Sequence, residues 1–196
     1  MEFKTATQGQ LAVGVVPMSL DATGLAKAAT VPATYRVQIA DVTPAALATD
    51  VLVLQGSASK TVKIKRIQIT ADATNPSVLD LYCFKRTAAN TGGTLATAPT
   101  ILKNVTANPA PTAAVSLYSA NPSALGAGIL AAADHYALPA AATTGYPGVP
   151  WIEDFGGLDK QALELDGTSE FLAIGFNGQT IPAGTVVYVM VEWTEQ

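Results

Sequence analysis

The chain has 196 residues, of which 49% are hydrophobic and only 13% charged, and its formal net charge is −4. The length fits one domain and the apolar content excludes a disordered chain. The acidic balance argues against nucleic acid and against a polybasic membrane surface, both of which need clustered cations.

Residues 1–33 differ in texture from the rest of the chain. Gly9, Gly14, Pro17, Gly24 and Pro32 break any long element. Leu11, Val13 and Val15 alternate, so one short strand is expected there, within an otherwise irregular segment that is either an arm pairing with or wrapping a neighbour or a disordered terminus. The apolar run 11–16 is too short for a secretory core and ends at Pro17.

From residue 34 onward the pattern is that of short strands separated by turn signals: Thr43-Pro44, Asn75-Pro76, Gly92-Gly93, Asp166-Gly167 and Asn177-Gly178. The predicted strands are 35–40, 50–55, 61–71, 78–86, 113–118, 135–138, 162–165, 170–176 and 185–194. Within 61–71, Val62 and Ile64 share one parity and Ile67 and Ile69 the other. Side chains alternate with period two, so this slip predicts a bulge near Lys65 and Arg66, a device that lets a strand bend between sheets. The best helical candidate is the alanine-rich run 123–133, weakened by Gly126 and Gly128. From 104 to 152 the only charged residue is Asp134, yet six prolines interrupt the stretch. It therefore reads as neutral surface and not as a membrane span.

The last strand is apolar on both faces. Val187, Val189, Val191 and Trp193 lie on one side, and Val186, Tyr188 and Met190 on the other. An antiparallel sheet normally keeps one face wet. With few helices to cover a second face, another subunit is the expected cover. The alternative is a central strand lying beneath a long loop. The charged fraction, about half the ~25% usual for soluble domains, also suits a surface hidden in an assembly. The interface candidates are Leu11, Val13, Val15, Tyr188, Met190 and Trp193.

The material for catalysis is thin. There is no P-loop, no G-x-G-x-x-G, no G-x-S-x-G and no H-E-x-x-H. One histidine, His135, and one cysteine, Cys83, are present. His135 reads as a surface or turn residue, and Cys83, among Leu81, Tyr82 and Phe84, as a small buried hydrophobe. Glu153, Asp154 and Asp159 cluster around Phe155-Gly156-Gly157 and read as a solvated acidic loop. Tyr136, Tyr146 and Trp151 fall in the neutral region, where they either stack on a sugar or fill a core or interface. No enzyme activity, cofactor or metal is expected.

A set of runs carries a resemblance. Lys65-Arg66-Ile67-Gln68-Ile69 leads to Asp80-Leu81-Tyr82-Cys83-Phe84-Lys85-Arg86-Thr87-Ala88-Ala89-Asn90-Thr91-Gly92-Gly93-Thr94. Leu117-Tyr118-Ser119-Ala120-Asn121-Pro122, Asp154-Phe155-Gly156 and the closing Val191-Glu192-Trp193-Thr194-Glu195 complete the set. Over roughly residues 50–196 the chain resembles small virion proteins of tailed bacteriophages. The strand and turn pattern reads as a β-sandwich or barrel domain over 34–196, and the resemblance implies the all-β, antiparallel, jelly-roll-like β-sandwich form of it. It also implies a structural role: a decoration or cement protein, often a trimer, bound to the major capsid protein or seated at another virion vertex or joint. Such a protein is assembled in the host cytoplasm and resides in the virion. A binding module for a host glycan is the competing expectation.

Overall fold

The computed structural model describes residues 31–140, 149–156 and 161–196. The chain divides into two units, Met1–Val31 and Pro32–Gln196, and every strand described below lies in the second. The described residues form strands and no helix. The strands are β1 (Ala33–Val42), β2 (Asp50–Gln55), β3 (Val62–Asp72), β4 (Ser77–Arg86), β5 (Thr94–Leu95), β6 (Ile101–Lys103), β7 (Ala114–Ala120), β8 (Gly128–Leu138), β9 (Trp151–Asp154), β10 (Leu163–Leu165), β11 (Phe171–Gly175) and β12 (Val186–Glu195). Every strand predicted from residue 34 onward is present; the short strand expected around Leu11–Val15 lies outside the described residues. β5, β6 and β9 lack a two-residue alternation long enough to read from sequence. The alanine-rich run 123–133 is not helical: it is a turn followed by the first half of β8, which pairs with β4 from Arg86↔Gly128 to Ser77↔Leu138. A side chain at Gly128 would collide with the Lys85 carbonyl at 2.7 Å, so the close ladder itself requires glycine there.

Two antiparallel sheets face each other. The first runs β10-β3-β12-β1-β6, with β9 also on β3; the second runs β5-β7-β2-β11-β4-β8. Their inner faces share one core. Tyr35, Val37, Ile64, Ile67, Val191 and Trp193 come from the first sheet, and Leu52, Leu54, Leu79, Leu81 and Leu172 from the second. Trp193 stacks on Tyr35 with centroids 5.9 Å apart. Burying each such aliphatic side chain contributes about 1.5–3 kcal/mol.

The phase slip in β3 is a bulge. Glu192 pairs with Arg66 and Trp193 with Ile64, which leaves Lys65 as the extra residue. Ile64 and Ile67 thereby both reach the core, at 0% exposure. β3 does not cross between sheets. The bulge instead divides its outer edge between two partners: β10 pairs with 62–64 and β9 with 66–69. The Phe155 amide closes the gap by donating to the Lys65 carbonyl at 2.8 Å. The turn at Asn177-Gly178 places both residues at positive φ, 53° and 76°, the geometry for which this dipeptide is suited.

The two apolar faces of β12 are unequal. Val187, Val189, Val191 and Trp193 are buried in the sandwich. Tyr188 and Met190 lie on the outer face among Gln38, Gln68 and Thr70, beside the Arg36–Glu192 ion pair. Polar side chains of β1 and β3 flank these two residues, and Tyr188 stays 37% exposed. β11 resolves differently. It is central in its sheet, and its outer residues Phe171 and Ala173 bury against Val53, Phe84 and Tyr118.

Candidate functional site at the β8 edge

Sheet edges offer free backbone donors and acceptors, and folds blunt them with short strands, bulges and charge. Most edges here are blunted. β5 has 2 residues, β6 has 3, and β10 and β9 have 3 and 4. β1 bulges between Ile39 and Val42, where Asp41 takes a positive φ of 56°. β8 is the exception, an 11-residue strand at the end of its sheet. It contains neither lysine nor proline, and its one bulge, at Ala131, leaves 132–138 unbroken. Ile129 and Leu130 are 70% and 52% exposed.

β8 and β9 close the same side of the sandwich from the two sheets. Between them is a cleft of about 440 Å³ lined by Asp134, His135, Tyr136, Val149, Trp151 and Ile152, among others. The floor is fixed: Tyr136 is buried, and its hydroxyl accepts the Ala71 amide at 3.4 Å. Burial raises the pKa of that hydroxyl. The rim is polar, with His135 at 82% side-chain exposure reaching the Asp80 carboxylate across the β4–β8 ladder. An apolar wall with a few polar groups suits a small ligand of the size such clefts hold.

The other sequence candidates are dispersed. Trp193 lies in the core, fully buried, with its indole N–H donating to Glu195 at 3.2 Å; it faces Tyr35, not a partner. Tyr188 and Met190 occupy the outer face of the first sheet. Leu11, Val13 and Val15, together with Tyr146 and Asp159, lie outside the described residues. Trp151 is half-buried at the cleft, and Tyr136, the other described ring of the expected set, is buried. Asp154 pairs with Arg66 at 2.6 Å across the β9–β3 ladder. Cys83 is fully buried, and burial pushes its thiol pKa up. Among the described residues no group of three or more His, Cys, Asp or Glu side chains is placed to hold a metal ion.

Two buried ionic anchors escape sequence reading, because each joins residues distant along the chain. Arg86 forks onto Asp50, with Nε and Nη2 at 2.5 and 2.6 Å from its two oxygens, and its Nη1 donates to the Gly126 carbonyl at 2.7 Å. Asn90 donates to the same carboxylate and accepts the Gly126 amide, which locks the turn leading into β8. At the other end, the buried Glu195 accepts the Thr112 hydroxyl at 2.6 Å and the Thr112 and Ala113 amides at 3.0 and 3.1 Å. Burial alone would raise the Glu195 pKa, but these bonds outweigh it and hold the carboxyl below the usual glutamate value.

A depressed folded pKa gives stability that is present above the unfolded value and lost as pH falls through the folded one. Glu195→Gln is therefore expected to lower stability at neutral pH and flatten the acid limb of a stability–pH curve followed by urea unfolding. Some acid sensitivity should remain from Glu170. Burial pushes its carboxyl up, but Lys85 and the Asp166 amide bring it below its ordinary value. An acid limb identical to that of the wild type would show that Glu195 is not the group titrating.

Fold and site together define, among the described residues, an all-β sandwich with a long edge strand beside a shallow cleft. Comparison with known protein families, characterised proteins and solved structures found no match.

Proposed function

We propose that this protein is a structural subunit of a tailed-phage virion, a decoration or cement protein that stabilises the particle by non-covalent contact. The observation that carries the reading is β8, a long edge with exposed Ile129 and Leu130 on a sandwich whose other edges are blunted. An edge of this kind is suited to pairing with another chain. The strand order supports a jelly-roll winding, since β1 and β2, β3 and β4, β8 and β9, and β11 and β12 each fall in opposite sheets. That fold serves capsid and lectin proteins alike, so the role rests on the edge and not on the fold.

The reading expects a homo-oligomer, with a trimer as the closed form that hides the edge. Light scattering should give a mass above that of the 20.1 kDa chain. Added to empty capsids of its own phage, the protein should raise their resistance to heat or chaotrope. A folded monomer that leaves capsids unchanged would sink the proposal.

The cleft favours a second reading, a module for a host glycan, with the Trp151 ring as a stacking face and Asp134 and His135 as hydrogen-bonding groups. On that reading Trp151→Ala abolishes binding on a glycan array while the melting temperature stays near that of the wild type. No glycan bound by the wild-type protein would remove it.

A further inference from the structure

We infer that the ligand site has two subsites, one on each side of β8, and takes an oligosaccharide without acidic groups, an inference that rests on the glycan reading of the cleft above. A second cleft, of about 280 Å³, adjoins the first. It is lined by Asp80, Tyr82, Ala133, Asp134 and His135, and the last two line the first cleft as well. The β4–β8 ladder fixes the face on which it opens. Asp80 pairs with His135 and Tyr82 with Ala133, whereas Leu79, Leu81 and Cys83 between them are buried in the core. Asp80 and Tyr82 therefore lie on the outer face of the second sheet. A ligand that fills both clefts passes over β8 at Asp134 and His135. It crosses the strand, whereas a peptide added to the edge runs along it. The paired clefts thus fit a chain of sugars better than an added strand.

Each cleft combines a ring with polar groups. A ring offers its flat face to the C–H face of a sugar, while carboxylates and imidazole bond the hydroxyls. Trp151 is the ring of the first cleft and Tyr82 that of the second. Tyr82 is steadied by Phe84, with centroids 6.0 Å apart and planes 21° from parallel. The backbone of Asp80 is fixed by Gln179: the Asp80 amide donates to Oε1 at 3.0 Å, and the Asp80 carbonyl accepts from Nε2. His135 meets the Asp80 carboxylate through Nδ1, which leaves Nε2 for a ligand hydroxyl. Charge sets the ligand class. The described residues lining the two clefts include the carboxylates of Asp80 and Asp134 and neither lysine nor arginine. A sialylated, sulfated or phosphorylated sugar would bring like charge to these carboxylates with no cation to pair it.

The test is a glycan array followed by calorimetry, both on the full-length protein. The array carries uncharged oligosaccharides beside their sialylated, sulfated and phosphorylated counterparts. The uncharged members are expected to bind, and the acidic counterparts about tenfold more weakly or worse. The tightest uncharged binder is then titrated as a series from monosaccharide to pentasaccharide. Affinity should step up by about tenfold once the chain reaches the second ring. Tyr82→Ala should remove that step and leave the shorter members unchanged. Ala133→Ile, at an exposed strand position, narrows the second cleft without removing a packed side chain. It should remove the step at an unchanged melting temperature, so the result does not hang on the folding of Tyr82→Ala.

An affinity that does not rise with length, or a rise that survives in both variants, would overturn the second subsite and leave the glycan reading of the first cleft standing. Tighter binding of the acidic counterparts would overturn the ligand class. A wild-type protein that binds no member of the array would remove this inference and the glycan reading together.

Discussion

Arg86→Met is expected to cost about 3–5 kcal/mol, the loss typical of breaking a buried ion pair from one side. The side chains are 7% and 2% exposed for Arg86 and Asp50, so removing the guanidinium leaves a carboxylate with water excluded and only Asn90 donating to it. The Gly126 carbonyl loses its donor as well. Against typical stabilities of about 5–15 kcal/mol, this is a large fraction of the total. Adding Asp50→Leu should recover part of the loss, since an apolar pair needs no solvation. Recovery should be incomplete because the Asn90 side-chain N–H and the Gly126 carbonyl remain without the partners that Asp50 and Arg86 supplied. Urea unfolding of the two single variants and the double variant measures the coupling directly. A loss below about 1 kcal/mol for Arg86→Met would show that water reaches the pair.

Val189→Asp is expected to be at least as damaging. Val189 is 3% exposed and sits in the ladder between Ile39 and Ile69. A carboxylate there must remain charged without partners or take up a proton at a raised pKa, at a cost of several kcal/mol. Met190→Asp, one residue on, points to the outer face among Gln38 and Gln68 and should cost far less. The pair of variants tests the parity of β12 itself. Similar melting temperatures for the two would mean that the strand does not present its valines to the core.

The comparison between sequence and structure turns on which information is local. Alternation is local: each strand long enough to show two or three repeats was readable, and so was the bulge at Lys65, because a slip of one residue moves every later side chain to the other face. The alanine-rich start of β8 was misleading because alanine favours helix in isolation, while ten partners on β4 and the close approach at Gly128 impose a strand. The polar neighbours of the second apolar face of β12, Gln38 and Gln68, could not be read from the sequence, since they come from strands far away along the chain.

The sequence by itself determined the strand-rich character, the inward set of residues from Val62 to Trp193 and the glycine-dependent turns, all of which arise from side-chain period and backbone sterics. Only the tertiary structure decided that Arg86 meets Asp50 across 36 positions and Glu195 meets Thr112 across 83. It alone placed β8 at the end of its sheet, next to β9. Strand order is the physical reason. It is set by long-range pairing and shared burial, so no local pattern records which strand finishes a sheet with its backbone unclaimed.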